Sequence, residues 1–444
     1  MPSAPNRAPD PLLESVQQAM QCHAAGQLED AKRRYQQVLA QAPDQPDALH
    51  LLGVLAAQQG DPALAHALIW RAIAANPGEA MFHNNLANVC VELGRFDDAE
   101  RLYVRAIELD GARLDALSNL GLLLGRTGRL ADAEKLLCRV VELAPGNPAW
   151  RQNLANLYLS MGREADALQQ CYDGLVVAPR SQPLRALLVM AYTALGLSDK
   201  ARDVLVAWQQ VEPDHPFPRH HLAACTGQQV PDRAADDYIT GVFDAFARSF
   251  DAKLADLSYQ APDLVAAEVA RRAGPPGRAL AVLDAGCGTG LCGPLLAPFA
   301  CHLTGVDLSE GMLRKALGRQ VYDELMQSEL VAFLGSRPAA FDLVASADTL
   351  CYFGALASFS VAAQAALRSG GLLVFTVEAH ADAAGLPDFM LHGHGRYSQS
   401  RRYVASVLHS AGWVGIETQA VVLRQEGGKP VAGWLVSACV PATR

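Results

Sequence analysis

Leucine returns every 34 residues through the first half of the chain, at Leu52, Leu86, Leu120, Leu154 and Leu188. Each stands directly before a mostly small position, the set Gly53, Ala87, Gly121, Ala155 and Val189, with Ala19 in phase ahead of them. Ala31, Ala65, Ala99, Ala133, Ala167 and Ala201 keep the same beat, five residues after Gly26, Gly60, Gly94, Gly128, Gly162 and Gly196. Glycine takes positive φ at no steric cost, so those six suit turns between paired helices. Pro43, Pro77, Pro145, Pro179 and Pro213 close each period, Gly111 filling the remaining slot. Small residues facing small residues let two helices approach closely, and a unit this short must stack on neighbours to bury its apolar face. The pattern predicts six helix pairs from about Leu12 to His215, stacked as a solenoid with a concave face.

This run of small, large, glycine, alanine and terminal proline resembles the tetratricopeptide repeat. Its one polar regularity is Asn85, Asn119 and Asn153 at equivalent sites, with Asn88 and Asn156 one turn beyond two of them. An amide both donates and accepts, so such a ladder can satisfy the backbone of an extended peptide, much as in the superhelical repeats of protein glycosyltransferases that it resembles. The competing role is to tie helices together or face water. A protein or peptide in this groove is the expected partner, and self-association of the repeats is the other use.

The second half changes period. Val282 and Leu283 lead into Asp284-Ala285-Gly286-Cys287-Gly288-Thr289-Gly290, and a second apolar run ends on Gly305-Val306-Asp307, seventeen residues past Gly290. An apolar strand, a glycine turn opening a helix, then an acid closing the next strand is a layout that holds an adenosine ribose. The glycines fit both G-x-G-x-G and the dinucleotide pattern G-x-G-x-x-G. Asp284 favours the first, since a carboxylate at the turn repels a pyrophosphate but suits the ammonium and sulfonium of S-adenosylmethionine.

These residues resemble class I S-adenosylmethionine-dependent methyltransferases over most of 233–444. Phe341-Asp342-Leu343-Val344 with Ser346-Ala347-Asp348 resembles the fourth strand, and Ser369-Gly370-Gly371-Leu372 to Phe375 the turn into the fifth. Tyr238 to Tyr259, Ser346 to Gly354 and Gly395 to Ser400 resemble predicted methyltransferases with tetratricopeptide repeats ahead of the catalytic domain. The resemblance implies an all-α solenoid followed by an α/β Rossmann-like domain with a C-terminal antiparallel hairpin around Gln425-Glu426-Gly427-Gly428. It implies a donor, S-adenosylmethionine leaving as S-adenosylhomocysteine, held by Asp284, Ala285, Gly286, Cys287 and Gly288. Asp307 would take the ribose, Leu308 and Met312 the adenine, Asp323 or Glu324 the adenine amino group, and Ala347 would border the donor. Asp348 and Tyr352 are candidates for catalysis and acceptor contact, and Arg396 and Tyr397 of the glycine-rich stretch His392–Tyr397 for acceptor contact from a flexible lid. Arg396, Arg401 and Arg402 form the local cluster for an anionic acceptor.

The expected organisation is a disordered tail over 1–11, repeats over 12–215, a linker or capping segment over 216–232 and the methyltransferase over 233–444. His220-His221 reads as solvated linker rather than metal ligand, for want of a carboxylate or cysteine at ligand spacing, and no metal is expected elsewhere. Phe243, Phe246 and Phe250 share a helical face that serves either as a lid over the donor or as packing for the last repeat. A net charge of -9 with no dense basic run argues against nucleic acid. No segment reads as a signal peptide or membrane span, and ten cysteines without C-x-x-C read as reduced thiols, so a cytoplasmic protein is expected. A hydroxyl acceptor would need a base, whereas a carboxylate would not. The rival readings are a small-molecule methyltransferase whose repeats dock a partner, and a non-catalytic scaffold.

Overall fold

The computed structural model describes residues 11–442 except Arg248 and Ala384; ten residues of the expected disordered tail lie outside the described residues. Its contacts divide into two compact units, Met1–Leu187 and Leu188–Arg444. The first unit is helical. Pairs run Pro11–Ala24 with Leu28–Gln41, Pro46–Gln58 with Pro62–Ala75, Ala80–Glu92 with Phe96–Leu109, Leu114–Arg126 with Leu130–Leu143, and Pro148–Ser160 with Glu164–Val177. A sixth pair, Gln182–Ala194 and Ser198–Val211, falls mostly in the second unit. The six periodic glycines turn each pair at φ between 68° and 85°, and the periodic alanines from Ala31 to Ala201 are wholly buried. Helix packing leaves no room at the small positions: a Cβ on Gly53 would sit 2.6 Å from Ile69 Cγ1.

The second unit carries a nine-stranded sheet. Its strands are β1 (Leu280–Ala285), β2 (Ala300–Asp307), β3 (Glu324–Gln327), β4 (Phe341–Ser346), β5 (Leu367–His380), β6 (Phe389–Leu391), β7 (Tyr397–Ser400), β8 (Val414–Glu426) and β9 (Lys429–Cys439). The order β3-β2-β1-β4-β5 is parallel throughout. Beyond it β9 pairs antiparallel with β5 and β8 antiparallel with β9, while the last residues of β5 pair with β7. Both faces are covered, as a parallel sheet requires. Val282 packs on one face with Val265, Leu303 and Val374, and its neighbour Leu283 on the other with Phe333, Phe359 and Trp413, the two-residue alternation of a strand. Gly427 and Gly428, at φ 55° and 73°, make the tight turn of the β8–β9 hairpin, whose primed geometry matches strand twist. Asp284 pairs with Gly305 and Ala345, so the glycine loop leaves β1 where the strand order reverses, the place where open α/β sheets bind ligands. Among the described residues no helix is long and apolar enough to cross a membrane.

Candidate active site

A cleft of about 1280 Å³, counted to its open mouth, lies over the carboxyl ends of β1, β2 and β4. Gly286, Cys287, Gly288 and Asp284 line its floor, with Asp307 and Leu308 beyond them and Ala347, Asp348 and Tyr352 opposite. Asp307 is fixed by the loop it faces: its Oδ2 accepts from Gly288 N and its Oδ1 from Ser309 N, both at 2.9 Å. Burial raises its pKa, against the pull of those backbone donors. Asp284 is buried, which pushes it up to about 7; the phenol of Tyr322, donating to its Oδ2 at 2.6 Å, opposes that rise and the charge of Asp307 adds to it.

The loop glycines have separate reasons. A Cβ on Gly286 would lie 2.3 Å from Thr349, and one on Gly290 3.0 Å from the Tyr322 ring. Gly288 alone of the three, at φ 54°, faces no atom within 4 Å and looks into the cleft. Sequence reasoning passed over Tyr322, which fills the space beside the loop from the approach to β3.

Several expected contacts are corrected. Ala285 is fully buried in the sheet core and Met312 is 1% exposed, and neither side chain lines the cleft. Asp323 and Glu324 stand at the start of β3 rather than its end. Asp323 accepts from Leu303 N on the exposed side and Glu324 pairs with Arg337, so neither faces the cleft. The carboxyl end of β3 instead delivers Ser328 and Glu329 to the wall. Tyr397 is fully buried, its hydroxyl donating to Pro231 O, and cannot meet an acceptor. The stretch expected as a flexible lid is the turn of a hairpin whose strands, β6 and β7, are paired into the sheet, and His392 N donates to Arg396 O across it. Arg401 and Arg402 are exposed in the first turn of the helix Arg401–Ser410, outside the cleft.

Arg396 does line the cleft but is committed to Glu378 and to both oxygens of Glu426. Arg424, on β8 and 3% exposed, binds Asp348 Oδ2, Glu378 and Glu426 through its three nitrogens. Burial would raise Glu378, but Arg396 and Arg424 hold it below the usual carboxylate range. Asp348, Cys351 and Glu378 bring potential ligand atoms within 4.8 Å of one another, yet the guanidinium of Arg424 already supplies the positive charge there. Asp348 Oδ1 is buried and has no hydrogen-bond partner among the described residues.

The roof is the segment from Asp232 to Asp256. Asp232 O accepts from Gly354 N and Ala355 N, and Ala234 N donates to Tyr352 O. Asp244, on the helix Asp236–Phe246, accepts from Ser309 Oγ and from Gly311 N at 3.1 Å. Asp251 accepts from Thr289 Oγ1 and pairs with Arg319. Phe243 and Phe250 face the cleft, whereas Phe246 is 40% exposed beneath Lys253. The histidine pair corrects the linker reading: His220 and His221 are buried on the helix Pro216–Thr226, bonded to the carbonyls of Gly395 and Gly393.

The asparagine ladder ties repeats together. Asn85 Nδ2 meets His50 Nε2, Asn119 Nδ2 donates to Asn84 and Asn88, and Asn153 Nδ2 donates to Ser118 Oγ. Asn88 and Asn156 remain exposed.

Residues 283–375 match the methyltransferase domain family, and 23–87, 78–146 and 126–175 match tetratricopeptide repeat families. The malonyl-[acyl-carrier protein] O-methyltransferase of Pseudescherichia vulneris is 30% identical over 182 residues, 41% of this chain and 65% of that protein. Methyltransferase-like protein 27 of Homo sapiens is 35% identical over 142 residues, 30% of this chain and 55% of that protein. The chain thus spans less than two thirds of either relative. Among solved structures, Pseudomonas aeruginosa PilF superposes with a TM-score of 0.42 at 20% identity, covering 48% of this chain and 96% of that one. Fold and matches together define the class: tetratricopeptide repeats followed by a class I methyltransferase domain.

Proposed function

We propose that the chain is an S-adenosylmethionine-dependent methyltransferase whose repeats, over 12–215, bring a protein or peptide acceptor to a catalytic domain over 233–444. The observation that carries the donor is Gly288: its missing side chain leaves the cleft open beside a carboxylate that grips the same loop. A carboxylate has about four acceptor sites, so Asp307, spending one on each backbone N–H, keeps others for a ribose diol. Asp284 and Asp307 give the floor the negative character that suits a donor cation. Bound there, the donor supplies an electrophilic methyl group. The chain's own work is alignment and exclusion of water, for which the roof is pinned at Asp244 and Asp251.

Support for a polypeptide acceptor comes from the repeats, where Asn156 is exposed and Asn88, though its Oδ1 accepts from Tyr103 and Asn119, still reaches solvent on a ladder otherwise spent between helices. The malonyl-[acyl-carrier protein] relative is named for an acceptor carried on a protein, and another relative, of Idiomarina loihiensis, for ubiquinone biosynthesis, which supports a small-molecule acceptor as the second reading.

The test is calorimetry with S-adenosylmethionine on the full chain and on residues 188–444, followed by labelled-methyl transfer into cell extract. Label in macromolecules that requires the repeats supports the first reading, and label in the low-mass fraction from both forms supports the second. Absence of donor binding sinks both and leaves a scaffold.

A further inference from the structure

The cleft as a whole has more acids than bases in its lining, and one of them, Asp348, stands apart from the Asp284 and Asp307 that face the proposed donor. Its lining carboxylates are Asp284, Asp307, Glu329, Asp348 and Glu426. Three guanidiniums, Arg233, Arg396 and Arg424, face them, and each is already paired: Arg233 with Asp236, the other two with Glu378 and Glu426, and Arg424 with Asp348 as well. With Asp284 protonated the lining carboxylates still outnumber the guanidiniums, before Glu378 behind them is counted. Among the described residues, no lining arginine is free to meet an anionic acceptor.

Asp348 is held in an uncommon way. Its backbone is left-handed at φ 56°, with its N–H donating to Thr376 Oγ1, a conformation that turns the side chain onto Arg424. Arg424 satisfies Oδ2 and leaves Oδ1 buried and unpaired. A buried carboxylate oxygen without a donor is costly to keep, so its retention points to a donor brought by a ligand. Aromatic rings stand on the same cleft. Phe243 meets Tyr352 edge to face at 5.3 Å and Phe250 at 5.9 Å, and Tyr259 lines the same cleft, its phenol raised first by burial and then by the charge of Asp348. Ring faces attract cations, most strongly when water is excluded.

We infer that Asp348 Oδ1, with Phe243, Phe250 and Tyr352 around it, forms a subsite for an organic ammonium group, so that the acceptor is an amine and not a carboxylate; the bound ammonium gives up one proton to water, and its freed lone pair takes the methyl as the S–CH3 bond breaks and S-adenosylhomocysteine leaves. This rests on the proposed methyl transfer for its biological meaning but not for its existence as a binding site. An ammonium donates to Oδ1, neutralises the excess charge and lays its alkyl stem against the rings. A carboxylate finds no free cation and an unpaired oxygen of its own sign.

The test titrates the full chain with n-butylammonium, n-butanol and n-butyrate at equal ionic strength, with and without S-adenosylhomocysteine, followed by ligand NMR. Ammonium should bind best and butyrate worst. Asp348→Asn suits the left-handed backbone and should weaken ammonium binding about tenfold or more, as should Phe243→Ala to a lesser degree. Thermal unfolding checks that both variants fold. Butyrate binding as well as the amine, or an Asp348→Asn protein that binds the amine unchanged, overturns the inference. So does loss of S-adenosylhomocysteine binding in Asp348→Asn, which would assign Asp348 to the donor. If the parent takes up the amine through Asp348 but no S-adenosylhomocysteine, the subsite stands and the methyltransferase reading falls.

Discussion

Tyr322 donates its phenolic hydrogen to Asp284 Oδ2 at 2.6 Å, joining the approach to β3 with the end of β1. The ring also explains glycines that ligand contact does not. A Cβ on Gly290, Gly293 or Gly305 would come within 3.0, 2.7 and 3.0 Å of it, so part of the glycine-rich sequence makes room for a tyrosine. Tyr322→Phe should lower stability by about 1–3 kcal/mol, because it leaves a buried carboxylate without its donor. Chemical denaturation checks this, and the loss should grow with pH as Asp284 ionises.

Asp284 itself makes stability depend on pH. Its folded pKa, about 7, lies above the ordinary carboxylate range, so the folded chain holds a proton that the unfolded chain releases. The stability this contributes is complete below the ordinary range and is lost as pH rises through the folded value. Asp284→Asn, which keeps an acceptor for Tyr322, should therefore unfold at a temperature closer to the parent's near about pH 4, and gain on the parent as pH approaches about 8. Parallel melting curves across that interval would show no divergence if Asp284 stays ionised throughout.

Two loop glycines should fail differently. Gly286→Ala meets Thr349 and strains a backbone at φ 73°, and should cost about 2–4 kcal/mol of stability. Gly288→Ala meets no protein atom and should cost only about 1–2 kcal/mol, yet weaken donor binding by more than Gly286→Ala does in whatever fraction remains folded. Unfolding and calorimetry on the two proteins separate the effects.

The roof is latched by short acids. Asp244→Ala removes the acceptor for Ser309 Oγ and Gly311 N at the head of the helix Glu310–Leu317. It should speed amide exchange over 236–256 and shorten donor residence several-fold, while global stability falls by only about 1 kcal/mol. Unchanged exchange would place the closing force in the Phe243 and Phe250 rings instead.

Asn119 reaches back to Asn84 and Asn88 of the preceding repeat. Asn119→Ala should cost about 1–2 kcal/mol in denaturant unfolding of the repeats, since it strips two acceptors of a shared donor. A ladder kept only for ligands would show no such loss.

What the sequence revealed follows from the range of the contacts. The repeats were legible because Gly26 and Ala31, and their echoes, act within one helix pair. The strand, glycine turn and following acid were legible because they recur within about thirty residues. Tyr322 lies 38 residues from Asp284 and Arg424 76 from Asp348, with no spacing rule to join them. A four-residue strand gives little periodicity to fix where it ends, so the sequence points to Asp323 or Glu324, whereas the end of β3 delivers Ser328 and Glu329. Arg396 lines the cleft but is not the free cation that the sequence suggests, because nothing local announces Glu378 or Glu426 as its partners.

Order of synthesis gives the charged wall a further meaning. Asp348 and Glu378 leave the ribosome before Arg396 and Arg424, so a nascent domain that has formed its parallel strands holds two neighbouring acids with no counter-ion. Arg396 reaches Glu378 first, and Asp348 gains its counter-ion only when the β8–β9 hairpin zips onto β5 and inserts Arg424 between the two acids. Maturation of the pocket is thereby timed to the completion of the fold, and a translation product halted before that hairpin would carry the donor loop without a finished acceptor wall.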